Sequence, residues 1–180
     1  MTKRDYRKRL LEKRRTVGKD THEALARAVA AKVAELAPAS VGLFWPIRGE
    51  PDFREVLRAW QKSSGGTLCL PETRADGMVY RTWEEGAGML KDTAGIPYPD
   101  GAEAEPELLI APCVGYSLSC RRLGYGGGYF DRYLASASKR PTVIGAAFDG
   151  MTADDSLFEP FDEPLDFIVT ERRVLTRTDK

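Results

Sequence analysis

Apolar residues recur along this chain at two spacings, one helical and one extended, and the two kinds of segment take turns. Tyr6, Leu10 and Leu11 fall on one face of a helix, so Lys3 and Arg7, four residues apart, project together from an adjoining face. Asp20-x-x-Glu23 reads as a capping box that opens a second, alanine-rich helix, which Pro38 ends. Val41 to Trp45 is a short apolar strand. Asp52-x-x-Glu55 caps a third helix running through Trp60, and Ser63 to Gly66 breaks it. Further strands are predicted at Thr67 to Leu70, Met78 to Trp83, Leu108 to Ala111, Thr142 to Ala147 and Asp166 to Thr170, with a helix, YFDRYLASA from Tyr129, between the third and fourth of these. This alternation predicts an α/β fold: a three-layer α/β/α arrangement with helices on both faces of a mainly parallel central sheet. No internal repeat or low-complexity tract interrupts it, so one domain spanning 1–180 is expected.

The segment RLGYGGGYFDR, Arg122 to Arg132, carries the most chemistry. Gly126, Gly127 and Gly128 free the backbone to curl with its N–H groups inward, and an arginine stands at each end. A strand precedes it and a helix follows, the order that sets an anion on a helix N-terminus. The plainer reading is a turn whose glycines allow tight strand-to-helix packing. The two arginines and Asp131 favour the phosphate grip. Ligands in open α/β sheets collect at the carboxyl ends of strands. There Glu50 follows the Val41 strand, the glycine loop the Leu108 strand, and Asp149 the Thr142 strand.

Charge sharpens this picture. The 27 basic and 27 acidic residues cancel, yet basic residues crowd the first fifteen positions while 141–171 holds acidic residues and no lysine or arginine. Such polarity suits a site that takes in a polyanion beside a metal ion. Lys8, Lys13 and Arg14 read as a solvated helical face. A basic helix also suits nucleic acid, but no nucleic-acid motif or further basic stripe accompanies it, and no nucleic-acid partner is expected. Cys69, Cys113 and Cys120 lack metal-ligand spacing and read as buried small apolar residues in a reducing compartment. No apolar run approaches the roughly 20 residues of a membrane span, and no signal-peptide core follows the charged start, so a cytoplasmic protein without a membrane partner is expected.

The basic helix KRDYRKRLLEKRR, with Lys3 and Arg7, paired with RLGYGGGYFDR, resembles the 5-formyltetrahydrofolate cyclo-ligase (methenyltetrahydrofolate synthetase) family. FWPIRGEPDF from Phe44, LCLPET from Leu68, MVYRTW from Met78, GIPYP from Gly95 and DEPLDFIVTE from Asp162 follow the family's order and spacing. The resemblance implies an ATP-driven cyclisation of 5-formyltetrahydrofolate to 5,10-methenyltetrahydrofolate, with ADP and phosphate released. Because the folate supplies both nucleophiles, the protein needs positioning and charge stabilisation more than a nucleophile of its own. The lone histidine, His22, on a helix read as surface, agrees.

Carried over residue by residue, the resemblance gives ATP phosphates to Lys3, Arg7 and Arg122 and to the backbone of Gly124, Tyr125, Gly126, Gly127 and Gly128. Arg122 and Asp131 stand as the catalytic pair, with Asp131 helping to hold Mg²⁺. Glu50, Trp45 and Tyr129 are the folate candidates. Trp45, Met78 and Tyr80 suit either a pterin pocket or plain core. ATP and reduced folate are the expected partners, and a monomer the expected state. The chain departs from the family pattern at Ser117, where an aspartate is usual, at Cys120, at Tyr98, at Phe130, and at Phe161 of the Phe161-Asp162 pair. A diverged protein that binds nucleotide or folate without efficient cyclisation, and a nucleic-acid binder led by the basic helix, are the rival readings.

Overall fold

The computed structural model describes residues 1–178, and the last two positions of the expected 1–180 domain lie outside the described residues. In chain order the elements are α1 (Lys3–Arg14), α2 (Lys19–Leu36), β1 (Ser40–Gly42), α3 (Arg54–Ser64), β2 (Thr67–Arg74), β3 (Gly77–Thr82), β4 (Met89–Lys91), β5 (Pro97–Pro99), β6 (Glu103–Ala104), β7 (Leu108–Pro112), β8 (Gly115–Tyr116), β9 (Arg122–Leu123), α4 (Tyr129–Ser136), β10 (Thr142–Ala146), a 3₁₀ turn (Asp155–Leu157), β11 (Phe167–Val169) and β12 (Val174–Thr176). Eight of the strands form one sheet in the order β12-β11-β10-β7-β1-β2-β3-β6. The five from β11 to β2 run parallel, and β3, β6 and β12 add antiparallel edges. The expected mainly parallel α/β architecture is therefore present, trimmed at both sides by hairpins.

Alternation along the strands sorts two cores. Val41, Leu68, Leu108, Ile110, Ile144 and Val169 face one side, where Leu25, Val29 and Val33 of α2 and Leu57 and Trp60 of α3 cover them. Cys69, Leu109, Ala111, Val143 and Ile168 face the other, beneath Phe130 and Tyr133 of α4. On that second face two glycines make room for their neighbours. A Cβ on Gly42 would lie 2.6 Å from Leu109 and 2.8 Å from Tyr80, and one on Gly145 would lie 2.5 Å from Ile168.

The two expected capping boxes do not form. Helix α2 starts from Gly18, which offers no side-chain cap, so Asp20 and Glu23 lie two positions too far inside. Helix α3 starts from Phe53, fully buried and edge-on to Phe44 at 5.7 Å. That apolar anchor sets the start one residue later than the carboxylate would, and Asp52 instead accepts from the Arg54 backbone N–H (3.0 Å) and grips its guanidinium. A genuine box sits on α1, where Thr2 and Asp5 exchange hydrogen bonds.

Topology fixes where a ligand fits. From β1 the chain passes through α3 to β2 on one side; from β7 it passes through the glycine loop and α4 to β10 on the other. Neighbouring strands that lead away in opposite directions open a crevice at their carboxyl ends.

Candidate functional site

Two segments meet in that crevice: the 43–50 loop after β1 and the glycine loop that follows β9. In the glycine loop Gly126 and Gly128 take φ of +96° and +70°, the left-handed region that glycine enters without strain. Gly128 is the N-cap of α4 and supplies no side chain, so the first N–H groups of that helix keep no side-chain acceptor. Such a terminus holds anions. Arg122 folds back under the loop: Nη1 donates to the Pro112 carbonyl (3.1 Å), Nη2 reaches Asp131 at 3.4 Å, and the guanidinium stacks on Phe130. With its side chain only 10% exposed, it braces the end of β7 against the start of α4.

Helix α1 lies over this loop. Arg7 Nε donates to the Gly124 carbonyl at 2.7 Å, and its guanidinium stands beside Gly126, where an added Cβ would meet it at 3.4 Å. Lys3 does not join Arg7 there; its amine pairs with Asp162 at 2.5 Å. Burial pushes the Asp162 carboxyl up, but the hydrogen bonds from Lys3 and Glu159 N–H and the Lys3 charge bring it below its ordinary value. A cleft of about 420 Å³ opens next to Lys3, lined by Thr2, Tyr6, Asp154, Leu157 and Glu159. Arg14 contradicts the expectation of a solvated face: it is 3% exposed. It stands four residues from Leu10 and seven from Arg7, which places all three on the inward stripe of the helix.

Glu50, 8% exposed, is held from both sides. Ile47 N–H donates to Oε2 and the Tyr125 hydroxyl to Oε1, each at 2.8 Å. Burial pushes its carboxyl above the ordinary range, while those two bonds and the charges of Arg14 and Arg48 oppose the rise. Tyr125 thus presents more than the backbone N–H expected of it: its side chain ties the glycine loop to Glu50. Sequence alone offers no signal for that pairing, since 75 positions separate the partners.

The remaining candidates spread out. Trp45 is half-buried under the Arg54 guanidinium at 4.1 Å. Tyr129 lies against Gly127 and under Arg132. Tyr80 belongs to the second core, edge-on to Tyr133 at 4.9 Å, with Met78 packed beside it. Asp149 is taken up by Arg173 at 2.8 Å and by Thr170. His22, half-buried on α2, stacks edge-on against Phe148, a packing role. All three cysteines are buried free thiols, and burial pushes those of Cys69 and Cys113 up to about 12, far from a reactive thiolate.

Ser117 is fully buried, its hydroxyl bonded to Ser119 at 2.9 Å, and Ser119 donates onward to Asp155. Hydrogen bonds from Ser117 and Ser119 hold the Asp155 carboxyl below its ordinary value. A carboxylate therefore stands near this position, delivered by a different segment. Among the described residues no group of three His, Cys, Asp or Glu gathers as a metal cage. Asp131, its side chain 77% exposed on the first turn of α4, fits a cation that arrives on phosphates and needs only one or two protein carboxylates.

A family model described as the 5-formyltetrahydrofolate cyclo-ligase family matches residues 1–171. The 5-formyltetrahydrofolate cyclo-ligase of Mycoplasma pneumoniae is 26% identical over 176 residues, 95% of this chain and 99% of that protein. Its counterpart from Mycoplasma genitalium is 38% identical over 135 residues, 72% of this chain and 71% of that protein. Among solved structures, the 5,10-methenyltetrahydrofolate synthetase of Aquifex aeolicus superposes with a TM-score of 0.84 at 26% identity, covering 100% of this chain and 95% of that one. No helix among the described residues is long and apolar enough to cross a membrane.

Proposed function

This chain belongs to the 5-formyltetrahydrofolate cyclo-ligase family, and its activity is the ATP-dependent cyclisation of 5-formyltetrahydrofolate to 5,10-methenyltetrahydrofolate; we propose that the reaction runs in the crevice between the carboxyl ends of β1 and β7. One observation carries the placement. Tyr125, on the loop suited to phosphates, hydrogen-bonds Glu50, the buried carboxylate suited to a pterin, so the two binding functions share a wall.

In this reading Arg7, the N–H groups from Gly126 to Gly128 and the start of α4 hold the nucleotide's phosphates. Lys3 joins them by exchanging Asp162 for phosphate. Arg122 keeps Asp131 and the loop in register. Glu50 accepts paired hydrogen bonds from the amino group and ring N–H of the pterin, and Trp45 and Tyr129 border the folate. The formyl oxygen attacks the γ-phosphorus as ADP leaves; the neighbouring secondary amine then adds to the activated carbon, gives up its proton, and phosphate departs with the original formyl oxygen. Mg²⁺ held by Asp131 and the phosphates would neutralise charge during the transfer. The protein acts as a cytoplasmic monomer.

The direct test mixes pure protein with 5-formyltetrahydrofolate and MgATP and follows the absorbance of methenyltetrahydrofolate together with ADP. Equal amounts of both products are expected. Binding of both substrates without product would replace this reading by that of a binding protein.

A further inference from the structure

Arg14 is a cation placed where burial disfavours one. Its Nη2 donates to the Arg48 carbonyl at 2.8 Å and to the Tyr125 hydroxyl at 2.6 Å, while Nε and Nη1 are buried without a partner. These are the only buried side-chain nitrogen or oxygen atoms left unpaired among the described residues. Unpaired donors on a buried charge weaken a fold, and an apolar side chain beside Leu10 would fill the same space without that cost. Stability therefore does not account for a guanidinium here.

Its bonds lead to Glu50. Arg14 donates to Tyr125, and Tyr125 donates to Glu50 Oε1. Burial pushes the Tyr125 hydroxyl up to about 12, so it stays protonated and able to do both. With Ile47 N–H on Oε2 and the Tyr125 hydroxyl on Oε1, each carboxylate oxygen can still accept one further hydrogen bond. The titratable groups that interact with this pair are Arg14 from α1, His22 from α2, Arg48 from the turn itself, Cys113 just past the end of β7, and Tyr125 from the glycine loop. Arg14 and Arg48 are the cations among them.

We propose that Arg14 is a positioning residue for the folate half of the site: through the Tyr125 hydroxyl it fixes Glu50 in one orientation, as an anion whose two free lone pairs face the donor–donor edge of a 2-amino-4-oxopyrimidine ring. The inference rests on Glu50 being the pterin contact. It also makes α1 serve both substrates, since Arg7, two turns away on the same stripe, touches the nucleotide loop.

The test measures 5-formyltetrahydrofolate and ATP affinity by calorimetry on the full chain, with Glu50→Gln, Arg14→Met, Arg14→Lys and Tyr125→Phe. Arg14→Met is expected to melt no lower than the parent and to lose about tenfold in folate affinity near neutral pH. Because Glu50 then protonates more readily, that loss shrinks as pH rises; ATP affinity stays within about twofold. Arg14→Lys keeps the parent's pH profile with a smaller loss, and Tyr125→Phe shifts the profile in the same direction as Arg14→Met. Parental folate affinity at every pH in Arg14→Met, or equal, pH-independent losses of folate and ATP, overturns the proposal. Should Arg14→Met not fold, unchanged folate affinity in Tyr125→Phe overturns it instead. A silent Glu50→Gln removes the folate assignment and the inference together, whereas a damaging Glu50→Gln beside a silent Arg14→Met removes the inference alone.

Discussion

Asp131→Asn separates two roles that the same position could serve. An aspartate on the first turn of a helix stabilises it through the helix dipole, and here Asp131 adds an exposed ion pair with Arg122 at 3.4 Å. Both contributions are small. Surface pairs are worth about 0 to 1 kcal/mol and a first-turn charge about 0.3 to 1 kcal/mol, so a purely structural Asp131 predicts a melting shift of a few degrees and wild-type turnover. Gly128 is the N-cap, and among the described residues Asp131 accepts no hydrogen bond from a helix N–H group, which leaves no capping bond for the substitution to break. As the carboxylate that meets nucleotide-borne Mg²⁺, the same residue predicts another pattern: turnover falls about tenfold or more, recovers in part at high Mg²⁺, and ATP affinity loses its Mg²⁺ dependence. The assay is turnover against Mg²⁺ concentration, with calorimetric ATP binding with and without Mg²⁺ and a melting curve alongside. Wild-type Mg²⁺ dependence in both readouts refutes the assignment while leaving the phosphate loop standing.

Arg7→Ala removes a charge-assisted hydrogen bond to the glycine loop as well as the proposed phosphate contact, and should weaken ATP by about 1.5 to 3 kcal/mol, roughly ten- to a hundredfold, with folate affinity changed far less; calorimetry showing unaltered ATP affinity would mean that the nucleotide lies elsewhere. Ser117→Asp brings a carboxylate into a fully buried site already facing Asp155, so the single variant should lose stability and the double variant with Asp155→Asn should regain most of it; additive losses in the melting curves would show that the two positions do not share one charge.

Much of this fold is legible in the sequence because its central strands are buried on both faces and α2 and α3 carry clear apolar stripes. Leu108 to Ala111 reads as a strand for that reason, and α1 to α3 appear in the right places. Helix starts were less legible: Phe53, locked against Phe44, decides where α3 begins, and local capping residues have to follow. The ribbons β4-β5 and β8-β9 are too short for any period to register. Of the candidate site, the glycine loop and Arg7 are visible as local chemistry, and Glu50 through resemblance. Spacing and the resemblance both pair Lys3 with Arg7, although Asp162, far away in sequence, takes its amine.

Arg14 shows where charge misleads. Counted with Lys8 and Lys13 it belongs to a basic, solvated stretch, and Lys13 does stay exposed, reaching only the Gly150 carbonyl. Counted by helical position it belongs with Leu10 and Arg7, and that stripe faces inward. Periodicity outranks charge here because α1 has partners on both sides of the crevice, the Gly124–Tyr125 stretch and the Arg48 turn, and all lie along one line of the helix. A helix that bridges two loops must bury a polar stripe to hold them, since what loops offer are carbonyls and hydroxyls. The basic start of the chain is therefore better understood as a brace with one solvated side than as a charged surface. Shifting Arg7 and Arg14 together by one helical position would remove the hydrogen bonds that α1 gives to both loops even with the net charge unchanged.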